Sequence, residues 1–299
     1  MELRQLRYFV EVAEREHVSA AAAELHVAQS ALSRQIANLE AELGVDLFER
    51  EGRNIRLTQI GRIFLTHTKS ALKAIDYATK QVDEYIDPER GSIKIGFPTS
   101  LASNLLPTVV SEFKKLYPKV GFQLRQGSYN FLIEAVENRD IDIAFLGPVP
   151  QDQTNIIGNV LFTEKFYALV PSSHHLANKE SIDLIELKDE PFVLFPKGYI
   201  LHKLVFDGCS QAGFEPKASS EGEDLDAIKG LVAAGIGITM LPESAFSDLQ
   251  SLNSSKIPIK NPIIDRTVGV IIPRNRKLAP SEQVFYNFII DFFKYAKGK

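Results

Sequence analysis

Gln29, Ser30, Ser33 and Arg34 set four hydrogen-bonding side chains into one short run of the chain. An amide, two hydroxyls and a guanidinium at that spacing suit the base edges and phosphate oxygens of a DNA duplex. A second basic group, Arg50, Arg53 and Arg56, surrounds Gly52 a little further on. A different chemistry stands at three later junctions: Pro98-Thr99-Ser100, Gly127-Ser128 and Phe195-Pro196-Lys197-Gly198-Tyr199. Each lies where an apolar run gives way to an amphipathic one, so each reads as the carboxyl end of a strand meeting a helix N-terminus. Free N–H groups there favour an anion. Taken singly, such a junction is more often a satisfied helix cap. Taken together, Thr99, Ser100 and Ser128 suit one carboxylate of a small ligand, with Lys197 reaching the other from across a cleft.

Other chemistries are not signalled. No Ser/His/Asp arrangement, Walker loop or metal-spaced cysteines occurs, so no catalytic residue, cofactor or metal is expected. His174-His175 is an adjacent pair in a loop, whose side chains are expected to diverge; His17, His26, His67 and His202 are scattered. Gly235-Ile236-Gly237-Ile238-Thr239 lacks a third glycine and precedes a strand, which argues against a nucleotide loop. The single cysteine, Cys209, allows no disulfide within one chain and reads as a small buried residue, in keeping with a reducing cytoplasm.

A chain of 299 residues, 44% hydrophobic, is long enough for two or more domains with separate cores. It has no apolar run of about 18 residues, so no membrane span is expected. Charge near Glu2 and Arg4 argues against a secretory signal. The net charge of −4 does not announce a nucleic-acid binder, and acidic residues outnumber basic ones before residue 60. A local basic patch holds phosphate even on an acidic protein, and Glu11, Glu14 and Glu16 can face away from it.

The elements that must position these groups follow from periodicity. Leu3, Leu6, Phe9, Val10 and Ala13 form a helical stripe over residues 2–15. Ser19 is the expected cap of a second helix through Ala20–Ala23. After a break at His26-Val27-Ala28, Gln29 opens a third helix with Leu32, Ile36, Leu39 and Leu43 inward, which leaves Gln29, Ser30, Ser33 and Arg34 outward. Helix, turn and polar-faced helix make a helix-turn-helix. Leu47, Phe48, Ile55 and Leu57 then flank a polar tip, predicting a β-hairpin wing with Arg53 placed for the minor groove. Residues 59–86 predict one long helix with a heptad seam of Leu65, Thr68, Leu72, Ile75, Thr79, Val82 and Ile86. A second protomer is the natural partner for Leu65, Leu72, Ile75 and Val82, since one reading helix sees half a dyad; packing on its own chain is the alternative. Asp87-Pro88-Glu89-Arg90-Gly91 breaks that helix, and from Ser92 short strands alternate with amphipathic helices, as in an open α/β sheet.

Leu3-Arg4-Gln5-Leu6-Arg7-Tyr8-Phe9, Leu25-His26-Val27-Ala28-Gln29-Ser30-Ala31-Leu32-Ser33-Arg34-Gln35-Ile36, Leu43-Gly44-Val45-Asp46-Leu47-Phe48-Glu49-Arg50 and Leu57-Thr58-Gln59-Ile60-Gly61 together resemble the N-terminal domain of LysR-type transcriptional regulators. Ala28-Gln29-Ser30 departs from the family's frequent Ser-Gln-Pro, which costs little because the first helical position needs no amide donor. The resemblance covers the whole chain. It implies an α+β multidomain protein: a winged helix-turn-helix at 1–58, a linker helix for dimerisation and hinge at 59–91, and an effector domain at 92–299. That last domain would resemble two-lobed periplasmic solute-binding proteins, with lobe I at 92–162 plus 268–299 and lobe II at 163–267. Implied partners are double-stranded promoter DNA, a small carboxylate effector, RNA polymerase and a second copy, as homodimer or homotetramer. Ile95–Ser103 and Glu221–Val232 carry a closer match, to activators of glutamate synthase genes, which implies 2-oxoglutarate or glutamate as effector. The residue chemistry leaves one alternative, a small-molecule binder or enzyme whose N-terminal helices only dimerise.

Overall fold

The computed structural model describes residues 1–51, 54–86, 91–151, 153–246 and 253–296. The chain divides into two compact units, Met1–Asp83 and Glu84–Lys299.

In the first unit, α1 (Leu3–Arg15), α2 (Val18–Glu24) and α3 (Gln29–Leu43) pack around Phe9, Val12, Ala21, Leu32, Ile36 and Leu39. The alanines of α2 are what let the helices approach closely. Two residues in the left-handed region, Glu16 and His26 (φ 48 and 53), turn the chain between helices. The cap of α2 differs from expectation: His17, not Ser19, accepts the Ala20 N–H, because the helix begins two residues earlier, at Val18. Ser19 instead donates to Gln29 Oε1 at 3.0 Å and ties α2 to α3. The hairpin is present as β1 (Phe48–Glu51) antiparallel to β2 (Asn54–Leu57). Glu40 holds its base, with Oε1 accepting from Leu47 N at 2.8 Å and Phe48 N at 3.1 Å. The long helix α4 runs from Gln59 to Ile86, as its periodicity predicts, so the unit boundary falls in its last turn. Arg7–Asp76 and Lys69–Glu14 ion pairs align α1 with α4.

The second unit alternates strand and helix: β3 (Ser92–Phe97), α5 (Thr99–Ala102), α6 (Leu105–Leu116), β4 (Gly121–Gln126), α7 (Tyr129–Glu137) and β5 (Ile143–Leu146). There follow β6 (Ile156–Pro171), β7 (Ile182–Asp183), β8 (Pro191–Leu194), α8 (Ile200–Gln211), β9 (Lys217–Glu221), α9 (Leu225–Ala233), β10 (Thr239–Pro242), β11 (Ser254–Asn261), β12 (Asp265–Pro273) and α10 (Pro280–Ala296). The main sheet runs β4-β3-β5-β12-β6-β11-β7, with β10 also paired to β6, and β8 pairs with β9. Among the described residues, a smaller cluster around Leu132, Val136, Ile141 and Leu146 lies beneath α7, and two large cores result. One gathers Ile93, Ile95, Leu106, Val109, Phe113, Phe145, Val268, Val270 and Phe285, and the other Phe166, Leu169, Phe192, Val193, Val205, Ile228, Leu241 and Ile257.

Two features depart from the sequence reading. β6 is a continuous 16-residue strand from Ile156, whereas the sequence predicts a short strand at Lys165–Pro171, so the proposed lobe boundary at 162/163 falls inside a strand. Its first half is apolar at Ile156, Ile157, Val160, Leu161 and Phe162 but is interrupted by Gly158-Asn159 and has no regular alternation, so it does not read as a strand. β11 alternates exposed Lys256, Pro258 and Lys260 with buried Ile257 and Ile259, a strand pattern that Pro258 masks. β6 and β12 pair antiparallel from Lys165–Asp265 to Ile156–Pro273, with a register shift at Val268/Gly269.

Candidate DNA-binding face and ligand cavity

α3 buries Leu32, Ile36 and Leu39 and leaves Gln29, Ser30, Ser33 and Arg34 exposed together, one face of a helix whose first turn has no side-chain cap. Among the described residues Arg34 has no ion-pair partner, which leaves its guanidinium available to a base or phosphate. Acids close by are already engaged: Glu11 and Glu24 pair with Arg15, and Glu14 with Lys69. That pairing lowers the local negative field an acidic composition would suggest. Arg50 stands opposite Ile55 in the hairpin register; Arg53, expected at the tip, lies outside the described residues. On α4, Ile75 and Val82 are 40% and 60% exposed, whereas Leu72 is only 8% exposed within the single chain and Leu65 joins the core of the first unit. The seam is therefore divided: its early positions are covered by their own chain, and its later ones are open.

In the second unit a cavity of about 400 Å³ lies between the two cores, within the range of small-ligand sites. Thr99, Ser100, Gln126, Ser128, Tyr129 and Arg266 line it, with Phe195, Tyr199 and Glu223. Thr99, Ser100 and Ser128 thus share one cavity. Each of their oxygens accepts an internal hydrogen bond: Thr99 Oγ1 from Gln126 Nε2 (2.7 Å), Ser100 Oγ from Arg266 Nη2 (2.9 Å), Ser128 Oγ from Phe131 N (3.4 Å). Among the described residues none of the three donates a hydrogen bond, so each O–H is open to a carboxylate. Burial pushes the Tyr129 and Tyr199 phenols up, the Glu223 carboxylate adding to the effect at Tyr199, so both stay protonated. A larger groove of about 680 Å³ along α6 and α10 is lined mainly by Leu116, Tyr117, Val284, Phe288 and Phe292, with no comparable set of donors.

Lys197 is not among the lining residues. It occupies the outer corner of a turn closed by Tyr199 N donating to Pro196 O at 3.2 Å, with Gly198 at φ +99, and its side chain is exposed. The cation of this cavity is Arg266 on β12. It is 3% exposed and donates to Glu164 Oε1 (2.8 Å), the Gly147 carbonyl (3.0 Å) and Ser100. Desolvation pulls its pKa below the usual arginine range while Glu164 opposes that, and the group remains a cation. The only sequence signal for it was a charged pair, Asp265-Arg266, at the head of the apolar run Val268–Ile272. Asp224 caps α9 by accepting from Asp226 N and Ala227 N, and its neighbour Glu223 lines the cavity.

The adjacent histidines also depart from expectation. Their ring centroids are 4.5 Å apart and both rings approach Glu190. They sit in consecutive turns, with His174 N donating to Pro171 O and Ala177 N to His174 O (both 2.9 Å), where neighbouring side chains do not alternate as they would on a strand.

A helix-turn-helix followed by a long helix and a two-core α/β unit around a cavity defines a ligand-responsive DNA-binding protein. The model of the LysR substrate binding domain matches residues 87–294, and that of the bacterial regulatory helix-turn-helix protein, lysR family, matches residues 3–62. The chain belongs to the LysR family of transcriptional regulators and is not an enzyme. It is 66% identical over 293 residues to the transcriptional dual regulator GltC of Bacillus subtilis (strain 168), covering 98% of each chain. It is 34% identical to the HTH-type transcriptional regulator BenM of Acinetobacter baylyi, over 88% of this chain and 86% of BenM. Full-length BenM superposes with a TM-score of 0.62 at 30% identity, covering 99% of this chain and 98% of BenM. Full-length CbnR complexed with its target DNA shares the fold, with a TM-score of 0.78 at 24% identity over 98% of this chain and 100% of CbnR. The alternative of N-terminal helices that serve only to dimerise is not favoured, given the match at residues 3–62. No helix among the described residues is long and apolar enough to cross a membrane.

Proposed function

We propose that the chain activates glutamate synthase genes in the cytoplasm, in response to a small carboxylate such as 2-oxoglutarate or glutamate. Operator DNA would be read by Gln29, Ser30, Ser33 and Arg34 on α3, with the wing residues Arg50 and Arg53 on the flanks. Chains would pair along the open part of α4, as dimers or tetramers, and act on RNA polymerase. The likeness to GltC supports the target genes. The single observation that supports the ligand class is the set of three hydroxyls, Thr99, Ser100 and Ser128, each lining one cavity with its O–H open to a ligand and one of them backed by Arg266. Arg266 supplies the cavity's cation in place of Lys197, but on the side of the first carboxylate, by polarising Ser100.

Glu223 on the cavity wall favours glutamate over 2-oxoglutarate, since it would attract the ammonium group that only glutamate carries. Titrating the full chain with a panel of carboxylates while following thermal unfolding tests the class, because a ligand of the native state raises the midpoint. Thr99→Ala should remove that rise and leave DNA affinity without ligand intact. If Thr99→Ala and Ser128→Ala both respond at wild-type concentrations, the ligand binds elsewhere.

A further inference from the structure

Among the described residues, one group of metal-ligating side chains lies outside both sites, where the loop after β6 meets the start of β8. His174 Nε2 stands 3.2 Å from Glu190 Oε2, and His175 Nδ1 stands 3.9 Å from Glu190 Oε1. One ligand atom from each of the three residues lies within 4.8 Å of the others. We propose that His174, His175 and Glu190 form a binding site for a divalent transition metal of the zinc class.

The geometry is near what such an ion requires. Bonds of about 2.0–2.2 Å in a tetrahedron place ligand atoms roughly 3.3 Å apart, so the observed separations close with small side-chain rotations. Two of the three ligands are pre-positioned: the His174 and Glu190 side chains are only 13% and 23% exposed. Their backbones are pinned by turns, His174 through Pro171 O and Ala177 N, and Glu190 by donating to Leu187 O at 3.1 Å. The His175 ring, 67% exposed, leaves the fourth position open to water.

An ordinary hydrogen-bonded cluster accounts for only half of the arrangement. Glu190 has one close contact, 3.2 Å from His174 Nε2, while at 3.9 Å the second imidazole is beyond hydrogen-bond reach of the same carboxylate. A metal between the three uses both rings. Two imidazoles with one carboxylate suit zinc, nickel, cobalt or copper(II), and do not suit magnesium or calcium, which take oxygen ligands. His174 Nδ1 accepts from Leu176 N at a long 3.3 Å, so the proton is on Nε2, beside Glu190. A metal on Nε2 sends that proton to Nδ1 and gives up the Leu176 contact, with no redox change. The ion then ties the exit of β6 to the head of β8, the strand that ends beside Phe195 in the cavity wall.

Full-length protein stripped with a chelator and titrated with zinc sulfate or cobalt chloride tests the site. One equivalent per chain is expected, with a raised thermal midpoint for zinc and visible ligand-field absorption for cobalt. Loss of a supporting contact alone weakens metal sites about 10–100-fold, so His174→Ala and Glu190→Gln should each weaken binding by at least about 100-fold. His175→Ala removes an exposed ring and serves as the ligand-deficient variant if the packed positions fail to fold. His202→Ala should leave binding unchanged. Sub-stoichiometric zinc in the wild type, or wild-type affinity in folded His175→Ala and Glu190→Gln proteins, overturns the assignment.

Discussion

Arg34 is exposed on α3 without an ion-pair partner among the described residues, so its removal exposes no buried charge and isolates its part in DNA binding. Arg34→Ala should cost about 1–3 kcal/mol of specific binding if the guanidinium makes a bidentate base contact. A uniform loss with a salt slope lower by about one would assign it to phosphate instead. Unchanged operator affinity in a binding titration would remove α3 from the interface. Cys209 is a second residue with a measurable signature. It is fully buried, and burial pushes its thiol from 9.0 up to about 12. The folded state therefore keeps a proton that the unfolded chain releases, so this contribution to stability is intact below about pH 9 and is lost as pH rises toward 12. Chemical denaturation across that window should show a decline that Cys209→Ala lessens, and a thiol reagent should label Cys209 only after unfolding. Both positions were legible as residue types: a polar run opposite an apolar stripe, and a lone cysteine among Leu204, Val205 and Phe206. Arg266 was not, because its role depends on Glu164 and Ser100, which lie 102 and 166 residues away in the chain.

Among the elements, local periodicity located α1, α3, the wing and α4 within a residue or two, because each buries one face on a near neighbour in sequence. Strands interrupted by breaker residues, β11 by Pro258 and the first half of β6 by Gly158-Asn159, left no comparable trace. Turn chemistry was only partly legible: Pro196 and Gly198 announced a turn, but which way Lys197 would point depends on the turn's place in the fold. The junction of wing and α4 gives an element-scale prediction. Thr58 donates to Asp46 O at 2.9 Å and accepts from Gly61 N at 3.0 Å, drawing the helix start against the base of the hairpin. A Cβ on Gly61 would overlap the Leu47 carbonyl oxygen, a backbone atom with no freedom to retreat. Gly61→Ala, harmless by helix propensity alone, should therefore destabilise the N-terminal unit by about 2 kcal/mol or more. Thermal unfolding of the variant checks this, and an unchanged midpoint would mean that the hairpin base shifts freely.

On the scale of the whole molecule, assembly is separable from folding only at certain positions of α4. Leu72 is buried within one chain, so a charge there would disturb the fold itself and report nothing about pairing. Val82 is 60% exposed on the same seam. Val82→Asp should keep the monomer's thermal midpoint, run as a smaller species on a sizing column and bind a two-half-site operator more weakly. An unchanged elution volume would show that chains pair elsewhere. β6 and β12 govern a different motion. They cross between the two cores of the second unit as antiparallel neighbours bonded to each other along their length, so neither slides past the other. What such a ribbon allows is torsion, eased where its register shifts at Val268/Gly269. A compound held between the cores would then act through the angle it sets in this ribbon.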